Sequence, residues 1–163
     1  MFKINTARGK TVCFTGHRPP KLHRTDPAFR AALSVAIDRA IADGFEAFIG
    51  GMALGADTAF AELVLEYRQA GAPIRFIAAV PCADQDARWR AADRDRYRRL
   101  LQQADTVVTI CERYEPYCMN ARNRYMIENS GRLIAAWDGS PGGTAKTVEL
   151  AEQYGREIIR LSW

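Results

Sequence analysis

The sequence predicts an α/β fold: a Rossmann-like, doubly wound, mainly parallel sheet of about six strands with helices on both faces. Three observations carry this. Short apolar runs alternate with longer amphipathic runs along the chain. The short runs are nearly continuous in apolar residues, as strands buried on both faces must be. Residues of unusual backbone freedom or chemistry collect just after strands and at helix starts. That is the edge where a doubly wound sheet opens its crevice.

Each element follows from a local pattern. The first strand is expected over 11–15, from Thr11-Val12-Cys13-Phe14-Thr15. A helix over about 26–43 opens with Asp26 as N-cap and Pro27 as first helical residue. Its stripe is Ala32, Val35, Ala36, Ile37, Ala40 and Ile41, and Gly44 stops it. A strand over 45–49 leads to a helix over 56–70 that ends at Gly71. A strand over 74–80 precedes a long charged helix over 84–103. A strand over 106–110, a helix over 120–129, a strand over 133–137, a helix over 144–154 and a strand over 157–161 complete the chain. Short connections and the absence of a linker, repeat or low-complexity tract imply a single domain over 1–163. The strand order expected for this pattern is 3-2-1-4-5-6.

Composition narrows the function. With 48% apolar and 26% charged residues, the chain is globular, not disordered, collagenous or coiled-coil. It has no apolar run of membrane-spanning length, and residues 1–6 lack the apolar stretch of a signal peptide, so a cytoplasmic protein without membrane contact is expected. The formal net charge is +4, with 23 basic residues of which only four are lysine. Arginine suits bidentate contact with phosphate or carboxylate. The cysteines form no C-x-x-C pair: Cys13 and Cys111 read as small core residues, and Cys82 and Cys118 fall in loops. With only two histidines beside them, no metal and no cofactor are expected.

Four loops carry the candidate chemistry. Gly50-Gly51-Met52-Ala53-Leu54-Gly55-Ala56-Asp57 follows the second strand and opens a helix. Glycines there allow close backbone approach, and a helix N-terminus favours an anion. The loop is neither G-x-G-x-x-G nor a P-loop. Gly142-Gly143-Thr144 repeats the arrangement after the fifth strand, beyond Asp138. Gly16-His17-Arg18-Pro19 follows the first strand, where Arg18 can clamp a phosphate. In Asn120-Ala121-Arg122-Asn123-Arg124-Tyr125-Met126, Arg122 and Asn123 sit in a first turn whose dipole disfavours a cation, which hints at an anionic ligand. Arg18 and Arg122 are expected to converge on one anion across the crevice. The arginines of 84–103 are interleaved with Asp84, Asp86, Asp93 and Asp95, as on a solvated, ion-paired face. Its buried side is expected to be Trp89, Ala92, Leu100 and Leu101.

Together these loops resemble the SLOG superfamily, which groups DprA (Smf), the LOG proteins and the YpsA-like proteins. Phe14-Thr15-Gly16-His17-Arg18-Pro19, Gly50 to Asp57, and Ala136-Trp137-Asp138-Gly139 leading to Gly142-Gly143-Thr144 are similar to the YpsA-like branch over nearly the whole chain. The resemblance implies a nucleotide- or nucleotide-derivative-binding protein, of sensor type. Its ligand-binding residues would be Gly16, His17, Arg18, Gly50, Gly51, Gly55, Asp57, Asn123, Asp138, Gly142, Gly143 and Thr144.

Two sister branches imply alternatives. The later region looks like LOG, which cleaves the N-glycosidic bond of nucleoside 5′-monophosphates. Met119, Arg122 and Met126 match M-H-x-R-K-x-x-M, and Pro141-Gly142-Gly143 with Glu149 matches P-G-G-x-G-T-x-x-E. That likeness makes Arg122 and Glu149 catalytic and implies a homodimer. Asn120, Asn123, Ala145 and Lys146 depart from it. The glycine loop is also similar to that of DprA, which implies single-stranded nucleic acid as a partner. Tyr114, Tyr117 and Tyr125 would then be the stacking candidates.

Overall fold

The computed structural model describes residues 7–163; the segment 1–6, read above as lacking a signal-type stretch, lies outside the described residues. A short 3-10 turn, Arg8–Lys10, leads into β1 (Thr11–Gly16). Then follow α1 (Pro27–Ala42), β2 (Ala47–Gly50), α2 (Ala56–Gln69), β3 (Arg75–Cys82) and α3 (Ala91–Gln103). The chain closes with β4 (Thr106–Cys111), α4 (Cys118–Glu128), β5 (Arg132–Ala136), α5 (Gly143–Gln153) and β6 (Glu157–Arg160). The α/β alternation is as the sequence predicts. Asp26 caps α1 by accepting from the Phe29 amide at 2.9 Å, with Pro27 at the first helical position.

All strands are parallel and the sheet order is β4-β3-β2-β1-β5-β6. The expected order is therefore corrected: β4 extends the β1–β3 side, and the chain crosses back to place β5 beside β1. The switch point lies between β1 and β5. To make that crossing, α4 packs over β3, which carries its first turn towards the centre of the carboxyl edge.

Alternation along the strands feeds two cores. Val12, Phe14, Phe48, Phe76 and Val80 join α1, α2 and α3 on one face. Cys13, Ile49, Ile77, Ala79 and Leu133 join α4 and α5 on the other. Phe14 stacks on Phe60 at 4.8 Å and 8°, and Phe76 meets Phe60 edge-on.

Further expectations change. The charged helix starts at Ala91, not near residue 84. Residues 84–90 form successive turns, because Asp86 folds inward to 6% exposure and accepts from Arg98 at 3.1 Å, with Arg94 at 3.8 Å. The expected ion pairs on this face are thus partly inward-facing. Tyr97 and Leu100 are its buried residues, while Ala92 is exposed. Cys111 and Cys118 are disulfide-bonded: β4 ends where α4 begins, and the seven-residue spacing folds one back onto the other. Cys82 ends β3 and is buried, so it is not a loop residue. Among the described residues, no helix is long and apolar enough to cross a membrane.

Candidate functional site

A cavity of about 280 Å³ opens at the β1–β5 switch point. Four segments wall it. The end of β1 and its loop supply Thr15, Gly16, His17, Arg18 and Lys21. The β2–α2 turn and the first turn of α2 supply Ala53 and Asp57, and α4 supplies Met119, Asn120, Arg122, Asn123 and Met126. The start of α5 supplies Pro141, Gly142, Gly143, Thr144 and Thr147.

Electrostatics are organised around a buried pair. Arg122 is 5% exposed and Asp57 6%. Arg122 donates from Nη1 to the Gly51 carbonyl and from Nε to Asn123 Oδ1 at 2.8 Å. Asp57 Oδ2 accepts from the Ala53 amide at 3.1 Å. Burial pushes the Asp57 carboxyl up and the Arg122 guanidinium down, and the charge of each opposes the shift of the other. This pair is possible because Gly51 has no side chain: a Cβ there would sit 2.6 Å from Arg122 Nη1 and 3.0 Å from Asp57 Oδ2.

The other donors are nearly unspent. Arg18 is exposed, and among the described residues the one hydrogen bond its side chain makes is from Nη2 to Met119 Sδ at 3.9 Å. Arg122 Nη2 reaches the same sulfur at 3.9 Å, so the two guanidinium groups do meet on one cavity. Thr15 and Thr144 are each 8% exposed and line the cavity. Among the described residues, neither hydroxyl has a hydrogen-bond partner. The first amides of α5, at Gly143 and Thr144, point out of the helix end.

His17, 7% exposed, is held from behind. Its Nε2 lies 3.0 Å from Asp138 Oδ1 and 3.1 Å from the Asp138 amide. Ser140 donates its hydroxyl and amide to the same carboxylate oxygen, at 2.5 and 2.9 Å. These bonds hold the Asp138 carboxyl well below the usual carboxylate range. Lys21 Nζ donates to Ser140 Oγ at 2.6 Å, tying the β1 loop to the β5 loop.

The structure therefore gathers Gly16, His17, Arg18, Asp57, Arg122, Asn123, Gly142, Gly143 and Thr144 around one cavity, with Asp138 one hydrogen bond behind His17. Gly50, Gly51 and Gly55 do not line it, contrary to expectation. Gly50 is packed against Phe60 and Phe76, Gly51 against the buried pair, and Gly55 against the β1–α1 loop backbone. Glu149 is also displaced from the expected site. Thr144, Thr147, Val148 and Ala151 form the inward face of α5, and Glu149 rises exposed from the opposite side. Tyr125 is buried in the core and cannot stack on a ligand. Thr15 and Lys21 were not singled out by sequence. Thr15 reads as one more strand residue, whereas Lys21 was legible as one of four lysines, five residues beyond a strand.

The family model described as the YspA SLOG family matches residues 12–158. The protein belongs to this family. Its YpsA-like relatives include a UPF0398 protein of Bacillus pumilus (strain SAFR-032), 30% identical over 154 residues, or 89% of this chain and 83% of the relative. The SPbeta prophage-derived protein YoqJ of Bacillus subtilis (strain 168) is 32% identical over 128 residues, or 70% of this chain and 75% of the relative. Among solved structures, DprA from Streptococcus pneumoniae superposes with a TM-score of 0.70 at 19% identity. DprA from Helicobacter pylori, described for its single-stranded DNA binding mode, gives 0.64 at 20%. This SLOG chain is covered to 93% and 92%, but spans only 50% and 64% of those two chains. The likeness to DprA is one of fold.

Glu149 offers a direct check on the site's boundary. Glu149→Gln is expected to leave the melting temperature and any ligand-induced shift unchanged, because the side chain is exposed and, among the described residues, makes no hydrogen bond or ion pair. A ligand-induced shift lost in Glu149→Gln would return that carboxylate to the site.

Proposed function

We propose that the protein binds a nucleotide or nucleotide derivative in the switch-point cavity, through its phosphate. One observation supports this most: donors without partners converge there. They are the α5 amides, the Thr15 and Thr144 hydroxyls and the Arg18 guanidinium, whose other nitrogens are unspent beside one long contact from Nη2 to Met119 Sδ. A phosphate offers acceptors for all of them, and the helix N-terminus adds its dipole. Arg122 plays a different part, since its donors are taken by Gly51, Asn123 and Met119. It holds the wall that Asp57 shares.

A hydrolytic role is the second reading. The position of Glu149 removes its support there, and Asp57 is the acidic residue that lines the cavity. A buried carboxyl with a raised pKa suits proton transfer to a leaving group.

A thermal-shift series with inorganic phosphate and nucleoside mono-, di- and triphosphates tests the binding reading. A ligand at about 100 times its Kd is expected to stabilise the fold by ~2.7 kcal/mol. Gly143→Ala has open space around its added Cβ, and Arg18→Ala removes an exposed side chain. Both variants should keep the unliganded melting temperature and lose most of the shift. No shift with any phosphate-bearing ligand would overturn the reading.

A further inference from the structure

The Cys111–Cys118 disulfide sits where the switch-point cavity receives its α4 wall. Cys111 ends β4, Cys118 is the first residue of α4, and Met119 follows directly into the cavity lining. Of the four cysteines these two alone are bonded, while Cys13 and Cys82 are buried thiols. The bond spans a separation of seven residues, so it removes less chain entropy than a longer loop would, and a domain of 163 residues with two cores needs no staple. Its effect is local. Residues 112–117 have no buried side chain, and Tyr117, which opens α4, supplies no side-chain cap. The disulfide does the holding that a cap would otherwise do. We infer that Cys111 and Cys118 are a reversible thiol–disulfide modification site, exchanged by a dithiol reductant, that sets the order of the first turn of α4 and with it the affinity of the cavity. The effect on affinity rests on the phosphate reading of that cavity.

The two sulfurs are not equivalent. Cys118 is fully buried and Cys111 half-buried, so an incoming thiolate reaches Cys111 Sγ. A new S–S bond forms there and the Cys111–Cys118 bond breaks, its electron pair leaving on Cys118 Sγ. That sulfur is placed to carry the charge: the Glu115 amide donates to it at 3.2 Å, and it stands at the N-terminus of α4. It then takes a proton from solvent. The second thiolate of the dithiol attacks its own sulfur in the mixed disulfide and releases Cys111 as a thiolate, which is protonated in turn. The protein gains two electrons and two protons, and the dithiol leaves as its disulfide. Cys82 lies beside Cys111 in the β3–β4 register, but burial and then Asp84 push its thiol up, so it stays protonated and outside the exchange. Reduction leaves the end of β4 in place, because the Ala83 amide donates to the Cys111 carbonyl at 3.1 Å. The change falls on α4. Met119 Sδ is where the guanidinium groups of Arg18 and Arg122 meet, so a first turn that frays moves the contact both arginines share.

The experiment equilibrates the protein with reduced and oxidised dithiothreitol at a series of ratios and counts free thiols by alkylation and mass spectrometry. Cys111 and Cys118 should titrate together and reversibly, with Cys13 and Cys82 unlabelled in the native protein. Hydrogen exchange at the amides of Ala121, Arg122 and Asn123 should quicken about tenfold on reduction, and stay unchanged at Val148 in α5. Inorganic phosphate or a nucleoside monophosphate should bind roughly tenfold more weakly to the reduced protein. Cys111→Ala should match the reduced form in both measurements and lose all response to the reductant. The reduced wild-type protein gives the same readouts without any substitution. A pair that stays as thiols against oxidised dithiothreitol, or exchange that does not change on reduction, would overturn the switch. Equal phosphate affinity in the two forms would overturn the switch and leave the cavity reading standing. Faster exchange on reduction, with no phosphate-bearing ligand bound by either form, would support the modification site and overturn the cavity reading.

Discussion

Asp57→Ala is expected to destabilise the protein by about 3–5 kcal/mol, the largest loss from any single change in the site. The reason is the charge it leaves behind. Arg122 is 5% exposed and cannot shed its proton, so without Asp57 it is a buried cation held by a carbonyl and an amide oxygen. The reciprocal change, Arg122→Met, has a pH signature. The Asp57 carboxyl is already raised by burial, and removing the neighbouring cation raises it further. A raised carboxyl costs nothing below its unfolded value, where it is protonated in both states. The penalty grows as pH rises from there towards the folded value. The loss in Arg122→Met should therefore be small in acid and larger near neutrality. The double variant Asp57→Asn with Arg122→Met should cost less than the two single losses together. Denaturant titrations in acid and at neutral pH measure all three. A loss under about 1 kcal/mol for Asp57→Ala would mean that water reaches Arg122 and that the pair is not buried in solution.

Gly55→Val is the second large effect, expected at about 2–4 kcal/mol. Gly55 has φ of +83°, which a β-branched residue adopts only under strain. A Cβ there would lie 2.7 Å from the Leu22 carbonyl oxygen and 3.0 Å from that of His17. Both are backbone atoms that can move only with the loop. The β1–α1 loop and the start of α2 meet here, and the Ala56 amide donates to the His17 carbonyl at 3.2 Å. Valine should open that seam, so hydrogen exchange at Ala56 should quicken as stability drops. If the proposed binding holds, it would then fail because His17 and Arg18 have moved, not because a side chain fills the cavity. A stable Gly55→Val protein with a protected Ala56 amide would show that the seam is loose.

The two cases differ in how far sequence could reach them. The strand-to-helix turn at Gly50 to Asp57 was legible, because glycines after an apolar run and before an amphipathic one have few other uses. What those glycines face was not legible. Gly51 makes room for Arg122, a residue 71 positions away, and Gly55 makes room for the loop at Leu22. Glu149 is a case where the signal was present. Thr144, Thr147, Val148 and Ala151 recur at helical spacing and mark the inward face of α5, and Glu149 falls off it. A family likeness had placed Glu149 in the site, and helical periodicity, applied to the same residues, turns it to solvent.

By itself the sequence determined the α/β alternation, the parallel sheet and the clustering of Gly16, His17, Arg18, Gly142, Gly143 and Thr144 at one edge. These follow from short-range patterns: apolar periodicity, caps, and the rule that the chain turns back at strand ends. Only the tertiary structure decided that β4 is an edge strand, that α4 crosses back over β3, and that Cys111 meets Cys118. It also decided that Arg122 is spent on Gly51 and Asn123 while Arg18 reaches only the Met119 sulfur. Strand neighbours, helix crossings and side-chain partners are set by long-range packing of one buried surface against another. The apolar runs that form these surfaces are much alike in sequence, and only their assembled shapes select which ones meet.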